Sequence, residues 1–403
     1  MALAAATRGA EFLLARQRSC AAGVESGMLA LTIATLLQSP PTPAERSAAA
    51  LDVLVAAGHR AVGNALVART GGGVFATGCV ESAVGESEAI LAAIDGTGRT
   101  LFVERIAAGA IAEGWDLAAA ADGTVMVCGA IVAKAGDHDA FLARHDVGGK
   151  ELWRRAAGGP KEDRVWAMTA SDGDFVLVGE TAGRTDGERD GWVLCIDAAG
   201  AERWQHRVPG DGDDRLFGVA VDENGDLLAV GTRQENADAP RRALLVRLGK
   251  DGTRIDERTW QDGSGTVAHA ITPRPDGTFL ITGYVRRANG DHDAMVACVD
   301  RTGRELWRRV HEGAAETRAM AGRVAPDGTG RLVGYSRGPA GWNVWTMRID
   351  AEGACTEQRT IDRPGDDRAV GLLCERDGTF WTCGSFAAAG GNGTEFRVLR
   401  ILP

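Results

Sequence analysis

Between Gly129 and Gly179 the chain contains DAFLARHDVGGKELWRRAAGGPKEDRVWAMTASDGDFVLVG (residues 139–179), and that plan is repeated to the C-terminus. The stretch holds an alternating run (140–144), a turn with Asp146 and Gly149, a second run (ELWRR, 151–155) and a loop. A third and a fourth run follow, separated by Asp172-Gly173. A unit of about fifty residues with four short strand patterns is the signature of a propeller blade.

A glycine closes the second strand of every unit: Gly78, Gly129, Gly179, Gly231, Gly283, Gly334 and Gly384, at intervals of 50 to 52 residues. The first hairpin of each unit turns at Gly72-Gly73, Asp122-Gly123, Asp172-Gly173, Asn224-Gly225, Asp276-Gly277, Asp327-Gly328 and Asp377-Gly378. Asp-Gly and Asn-Gly supply the left-handed backbone that two-residue hairpins need. The second hairpin carries Asp and Gly three apart, as in Asp95 and Gly98 or Asp300 and Gly303, which suits a type I turn. The outer strand recurs as ELWRR (151–155, 305–309) and ERWQH (202–206). The expected fold is mainly β, a seven-bladed propeller of four-stranded blades over residues 58–403, whose last unit ends without an outer strand.

Residues 1–57 read differently, as a helical leader of three helices near 4–18, 24–38 and 43–57. They are rich in Ala and Leu and poor in Gly-based turns. Thr42, Pro43 and Glu45 form a capping box with Pro at the first helical position. A rival reading makes LDVLVAA (51–57) the missing outer strand. Only Gly58 and His59 would then remain to cross three strand spacings of about 4.8 Å each, and the sequence favours helix on that ground. The leader is expected to pack near the open edge of the last unit, because exposed edges invite unwanted pairing. TRGAEFLLARQRS (7–19) resembles one helix of an α/α-toroid repeat, without the acidic motifs of the enzymes built on that fold.

The repeat segment 139–180 resembles the bacterial SBBP-type propeller repeat and, more distantly, quinoprotein-type repeats. The SBBP resemblance implies adhesion or scaffold modules with no one chemistry. The quinoprotein resemblance would imply a dehydrogenase, but the chain has no vicinal cysteine pair and no metal-ligand cluster of that kind.

Composition bounds the function. Hydrophobic residues make up 44% and charged residues 25%, enough for a packed core, and the 55 glycines fit many tight turns. A net charge of −10 argues against a nucleic-acid scaffold. Eight cysteines without a CxxC pair mostly sit in apolar strand patterns and read as buried thiols, which suits a reducing, cytoplasmic compartment. No apolar run reaches the roughly 20 residues of a membrane span.

Several constellations are candidates for chemistry. Arg60, Arg164, Arg215, Arg318 and Arg368 stand just before the first strand of five units. They would ring one mouth of the central channel as ligands for a carboxylate or phosphate, or pair with Asp163, Asp214 and Asp367 as a structural ladder. Trp115, Trp166 and Phe217 occupy an equivalent site beside them, and His269 also precedes a first strand. Trp342 and Trp345 have no counterpart in other units and are candidate partner contacts. Asp137-His138-Asp139 and Asp291-His292-Asp293 fall in distant units and read as loop solvation rather than a shared metal site. PGDGDDR (209–215), with Asp211, Asp213 and Asp214, lacks the EF-hand spacing. No catalytic residue, metal or cofactor is assigned. The reading is a non-catalytic binding or scaffold module with a protein partner, without nucleic-acid or membrane partners. The alternatives are an enzyme or small-molecule sensor holding an anionic ligand at the channel mouth, or an accessory subunit of a larger enzyme.

Overall fold

A computed structural model describes residues 49–402 apart from 107–110, 133–137, 160, 183–187, 314, 364, 390 and 392. The helices expected near 4–18 and 24–38 lie outside the described residues. Among the described residues twenty-eight strands run in chain order. The first, β1 (Ala49–Gly58), is followed by β2 (Arg60–Ala68), β3 (Val74–Glu81), β4 (Ser87–Ile94) and β5 (Thr100–Ile106). Next come β6 (Ile111–Ala119), β7 (Val125–Val132), β8 (His138–His145) and β9 (Glu151–Ala157). They are succeeded by β10 (Asp163–Ser171), β11 (Asp174–Ala182), β12 (Arg189–Ile196) and β13 (Glu202–Val208), then β14 (Asp213–Val221), β15 (Leu227–Gln234), β16 (Arg242–Leu248) and β17 (Arg254–Trp260). The chain continues through β18 (Gly265–Pro273), β19 (Phe279–Arg286), β20 (His292–Val299) and β21 (Glu305–His311), and β22 (Thr317–Val324), β23 (Gly330–Gly338), β24 (Gly341–Ile349) and β25 (Cys355–Ile361). It ends with β26 (Arg368–Cys374), β27 (Phe380–Ala387) and β28 (Thr394–Ile401).

The fold is a β-propeller, but the expected ring of seven separate four-stranded blades is corrected. Five four-stranded sheets stand as discrete blades: β10–β13, β14–β17, β18–β21, β22–β25 and β1-β28-β27-β26. The remaining eight strands form one sheet, in which a single parallel pairing, Ser87 with Ile111, joins β4 to β6 while β5 pairs β4. The inner strands β2, β6, β10, β14, β18, β22 and β26 each touch the next, and β26 touches β2, so they close around a channel.

The helix expected over 43–57 is also corrected, because Ala49–Gly58 is a strand antiparallel to β28. The objection to a strand was the short connection to β2. The structure removes it by lengthening the strand. Outer strands such as β25 have seven residues and stop short of the sheet end, whereas β1 has ten and continues until Gly58 faces Thr394, the first residue of β28. Two register shifts, at 49/51 and 54/56, add the twist and bend that bulges bring. They bring Gly58 against Val80, and the His59 N–H donates to the Glu81 carbonyl at 3.1 Å in the adjoining sheet. Val55 packs into the cluster of Phe396, Val398 and Trp381, and Asp52 accepts from Arg363 at 3.0 Å and Arg397 at 2.8 Å. The edge of the last sheet is thus covered by strand pairing.

The core lies between neighbouring sheets. Middle strands such as β11, β12, β15 and β16 are buried almost throughout and interleave their apolar side chains, for example Val178, Val193 and Cys195 with Ala229, Leu244 and Val246. Outer strands alternate little and are largely exposed. Several span to the next unit through one large side chain that covers the glycine of a second hairpin: Phe102 over Gly149, Trp153 over Gly200, Trp204 over Gly252, Trp307 over Gly353, and Leu51 of β1 over Gly98.

The turn chemistry divides. In the second hairpins the Gly98 N–H donates to the Asp95 carbonyl at 3.0 Å while the Asp95 carboxylate accepts from Thr97 and Arg99, a type I turn. Most first hairpins are also built this way, with three-residue loops. Gly72 and Gly73 both take positive φ, as do Asp172 and Gly173 (48° and 87°), but among the first hairpins the two-residue turn forms only at Asp172-Gly173. The seven described cysteines are free thiols. Among the described residues no helix is long and apolar enough to cross a membrane.

Candidate functional site: the channel and the face above it

The glycine that marks the repeat explains what the channel contains. In every unit the inner strand is bulged opposite that glycine, so that one inner-strand residue has no partner: Asn64, Trp115, Trp166, Phe217, His269, Met320 and Val370. A Cβ on the glycine would fall on the bulge carbonyl, 1.7 Å from Glu113 O at Gly129 and 1.8 Å from Arg164 O at Gly179. Glycine therefore permits the bulge, and the bulge re-aims one side chain per unit. All seven line a channel cavity of about 560 Å³.

Four of them form a continuous aromatic arc. Trp115 and Trp166 meet edge to face at 4.7 Å, Trp166 and Phe217 at 6.1 Å, and His269 stacks on Phe217 at 5.7 Å with 13° between planes. The His269 Nδ1–H donates to the Met320 carbonyl at 3.0 Å, which leaves Nε2 as an acceptor, and burial pushes the imidazole down to about 4. The indole N–H groups of Trp115 and Trp166 are buried and have no partner among the described residues.

Two charges share this cavity. Asp116 follows the bulged Trp115; its two oxygens accept the backbone N–H groups of Leu117 and Met168, both at 2.8 Å. Burial nonetheless pushes its carboxyl up to about 6. Arg323 donates to the Gly322 carbonyl at 2.9 Å and to Thr272 at 3.3 Å, and burial lowers its pKa. Each side chain keeps some surface toward the channel void while protein surrounds it. Sequence reasoning found Trp115, Trp166, Phe217 and His269 but missed Asp116 and Arg323. The signal was their contrast with equivalent positions, which hold Ala65, Ala167, Gly218, Ala270, Ala321 and Gly371 for Asp116, and Ala118, Thr169, Ala220 and Thr272 for Arg323.

The five arginines lie at the starts of inner strands, on the face above the cavity, and each has a carboxylate beside it. Arg60 reaches Glu113 at 3.2 Å and Glu81 at 3.6 Å. Glu180, almost fully buried, lies between Arg164 at 3.2 Å and Arg215 at 3.0 Å. Arg318 pairs with Glu316 at 2.9 Å, and Arg368 is 3.8 Å from Asp366. The aspartates preceding three of them have other partners: Asp163 accepts the Gly159 N–H, Asp214 holds Arg233, and Asp367 accepts the Ala387 N–H at 2.9 Å.

Two of these arginines converge with Trp342. The guanidinium groups of Arg318, Arg337 and Arg368 lie 5.9, 5.3 and 5.4 Å from its ring centre. Tyr335 packs on Trp342 edge to face at 5.1 Å, and Arg318 also covers Tyr284 at 5.1 Å. Arg337 and Arg368 are exposed, and Arg337 forms no ion pair among the described residues. Trp345 lies inside the core with Leu280, Leu332 and Met347. Asp137 is outside the described residues; His292 donates to Glu316 and Asp293 holds Arg287. No group able to hold a metal occurs among the described residues.

No protein-family model matches the chain. A regulatory protein, FlaEY of Caulobacter vibrioides, is 27% identical over 190 residues, 40% of this chain and 20% of that protein. The matched part is thus about a fifth of the relative's own length. Among solved structures, a Dyadobacter fermentans protein of unknown function superposes with a TM-score of 0.56 at 12% identity, covering 88% of this chain and 99% of that one. The WD40 β-propeller domain of Doa1 gives 0.54 at 13% identity, covering 87% and 96%. Sqt1 of Chaetomium thermophilum gives 0.51 at 11%, covering 83% of each chain. At these identities the likeness establishes the propeller fold alone.

Proposed function

We propose that the protein is a non-catalytic binding module that captures an acidic segment of a protein partner on the face carrying Arg318, Arg337, Arg368 and Trp342. Within the propeller class we group it with SBBP-type repeat modules, on the residues of the 139–180 unit. The observation that carries the reading is the convergence of three guanidiniums on one indole, two of them exposed and one without a carboxylate of its own. Such a cluster is rigid, because the β23–β24 hairpin and the starts of β22 and β26 hold it. It offers what interface anchors combine, an aromatic surface and planar donors for carboxylates. A cytoplasmic site of action is part of the proposal.

The test is a photo-crosslinking amino acid at position 337 in the native host, with a second placed at 301 on the opposite face. The reading expects one protein, identified by mass spectrometry, to cross-link from 337 and not from 301, through an Asp/Glu-rich segment. Equal cross-linking from both positions, or none from 337, would refute it.

A further inference from the structure

The channel holds an arrangement that the partner-binding face neither uses nor explains. Asp116 and Arg323 carry opposite charges in one cavity, and each enters the other's electrostatic environment. Yet neither forms an ion pair with any described residue. Buried charges are ordinarily neutralised by a partner in contact, because an uncompensated charge out of water is costly. Here protein dipoles serve instead: two backbone N–H groups on Asp116, a carbonyl and a hydroxyl on Arg323. Both charged groups are held in place, and neither is matched.

The rest of the lining is selective in the same direction. Trp115, Trp166, Phe217 and His269 form a wall of ring faces and edges, with two indole N–H donors lacking acceptors. Met168, Met320 and Leu372 supply apolar surface. The cavity, about 560 Å³, lies within the range of ~300–1,000 Å³ typical of small-molecule sites. A cation alone would leave Arg323 unmatched, an anion alone would leave Asp116 unmatched, and an apolar molecule would leave both.

We propose that the channel binds a zwitterion with a flat side chain, an aromatic α-amino acid, its carboxylate on Arg323, its ammonium on Asp116 and its ring against the aromatic arc. The carboxylate is drawn to the open arm of the guanidinium, and the ammonium to the lone pairs of Asp116 that the backbone leaves free. Ammonium and ring edge both suit the faces of Trp115 and Trp166. This assignment does not rest on the partner-binding reading and can fail without it.

The experiment is isothermal titration of the full-length protein at pH 7.5 with L-phenylalanine, L-tyrosine and L-tryptophan. The controls are 3-phenylpropionate, which lacks the ammonium, and phenethylamine, which lacks the carboxylate. At least one amino acid should bind saturably, and both controls should bind tenfold or more weaker than L-phenylalanine or the best of the three. Arg323→Met should abolish the preference over phenethylamine, and Asp116→Asn the preference over 3-phenylpropionate. The analogue series on the unmodified protein decides the question even where a variant fails to fold. Absence of saturable binding by all three amino acids, or controls that bind as tightly, would overturn the assignment.

Discussion

Replacing Asp116 by Asn should change how stability depends on pH, and in a direction opposite to that of most native carboxylates. Burial pushes the Asp116 carboxyl up to about 6 from 3.8, against the pull of the Leu117 and Met168 N–H groups. A displacement of that size corresponds to about 3 kcal/mol. At pH 7 both folded and unfolded forms are ionised and the folded form bears the whole cost. As pH falls through 6 the folded form takes up its proton first, and the cost disappears by about pH 4. Asp116 therefore adds stability on acidification. His269 acts in the other sense. Burial pushes it down to about 4 from 6.5, so below pH 6.5 the unfolded chain is protonated first and the fold loses up to about 3 kcal/mol. The other groups that face Asp116, namely Arg323, Cys128 and Cys383, keep their charge state over this range. In Asp116→Asn the loss from His269 stands unopposed. Urea unfolding at half-unit steps from pH 7 to pH 4.5 should show the variant losing about 2 kcal/mol more than the parent. Parallel curves would refute the reasoning, since they would mean that Asp116 is solvated like a surface carboxylate.

Other outcomes follow from the packing. Gly129→Ala places a methyl 1.7 Å from the Glu113 carbonyl, so the bulge must shift; a loss of about 3 kcal/mol or more is expected in urea unfolding. Val55→Asp should cost about 3 kcal/mol because Val55 lies in the core, whereas Leu54→Asp, at a side chain 46% exposed, should cost about 0.5 kcal/mol or less. Asp214→Asn removes one of the two carboxylates on Arg233, at 2.6 Å, and leaves Glu257; it should lower stability by about 1 kcal/mol, read as a shift in the thermal midpoint.

The repeat, its turn glycines and the strand order within each unit were legible because they are local: periodicity and Asp-Gly pairs are written in neighbouring residues. So was the aromatic set, since Trp115, Trp166 and Phe217 recur at one place in the unit. The helix expected over 43–57 failed where local and long-range signals compete. Thr42-Pro43-Ala44-Glu45 is a sound capping signal, but LDVLV is also a good strand, and its partner is about 345 residues away in β28, where no sequence window reaches. The merging of β4 with β6 rests on one backbone pairing and has no side-chain signature. The arginines were visible as a series, yet the carboxylates of three were not, because Glu113 beside Arg60 and Glu180 between Arg164 and Arg215 lie in other strands, whereas Glu316 stands two residues before Arg318. Asp116 and Arg323 were hidden for the opposite reason: each is a single departure from the repeat.

The proposed function rests on recognition at the Trp342 face. Its most direct test is calorimetric titration of the cross-linked partner segment against the parent protein, Arg337→Glu and Arg301→Glu. Arg301 is exposed in a second hairpin and pairs with the exposed Glu223 at 3.4 Å, so it reports charge alone. A tenfold or greater loss for Arg337→Glu, with Arg301→Glu unchanged, is the predicted result. Equal affinities for all three proteins would contradict it.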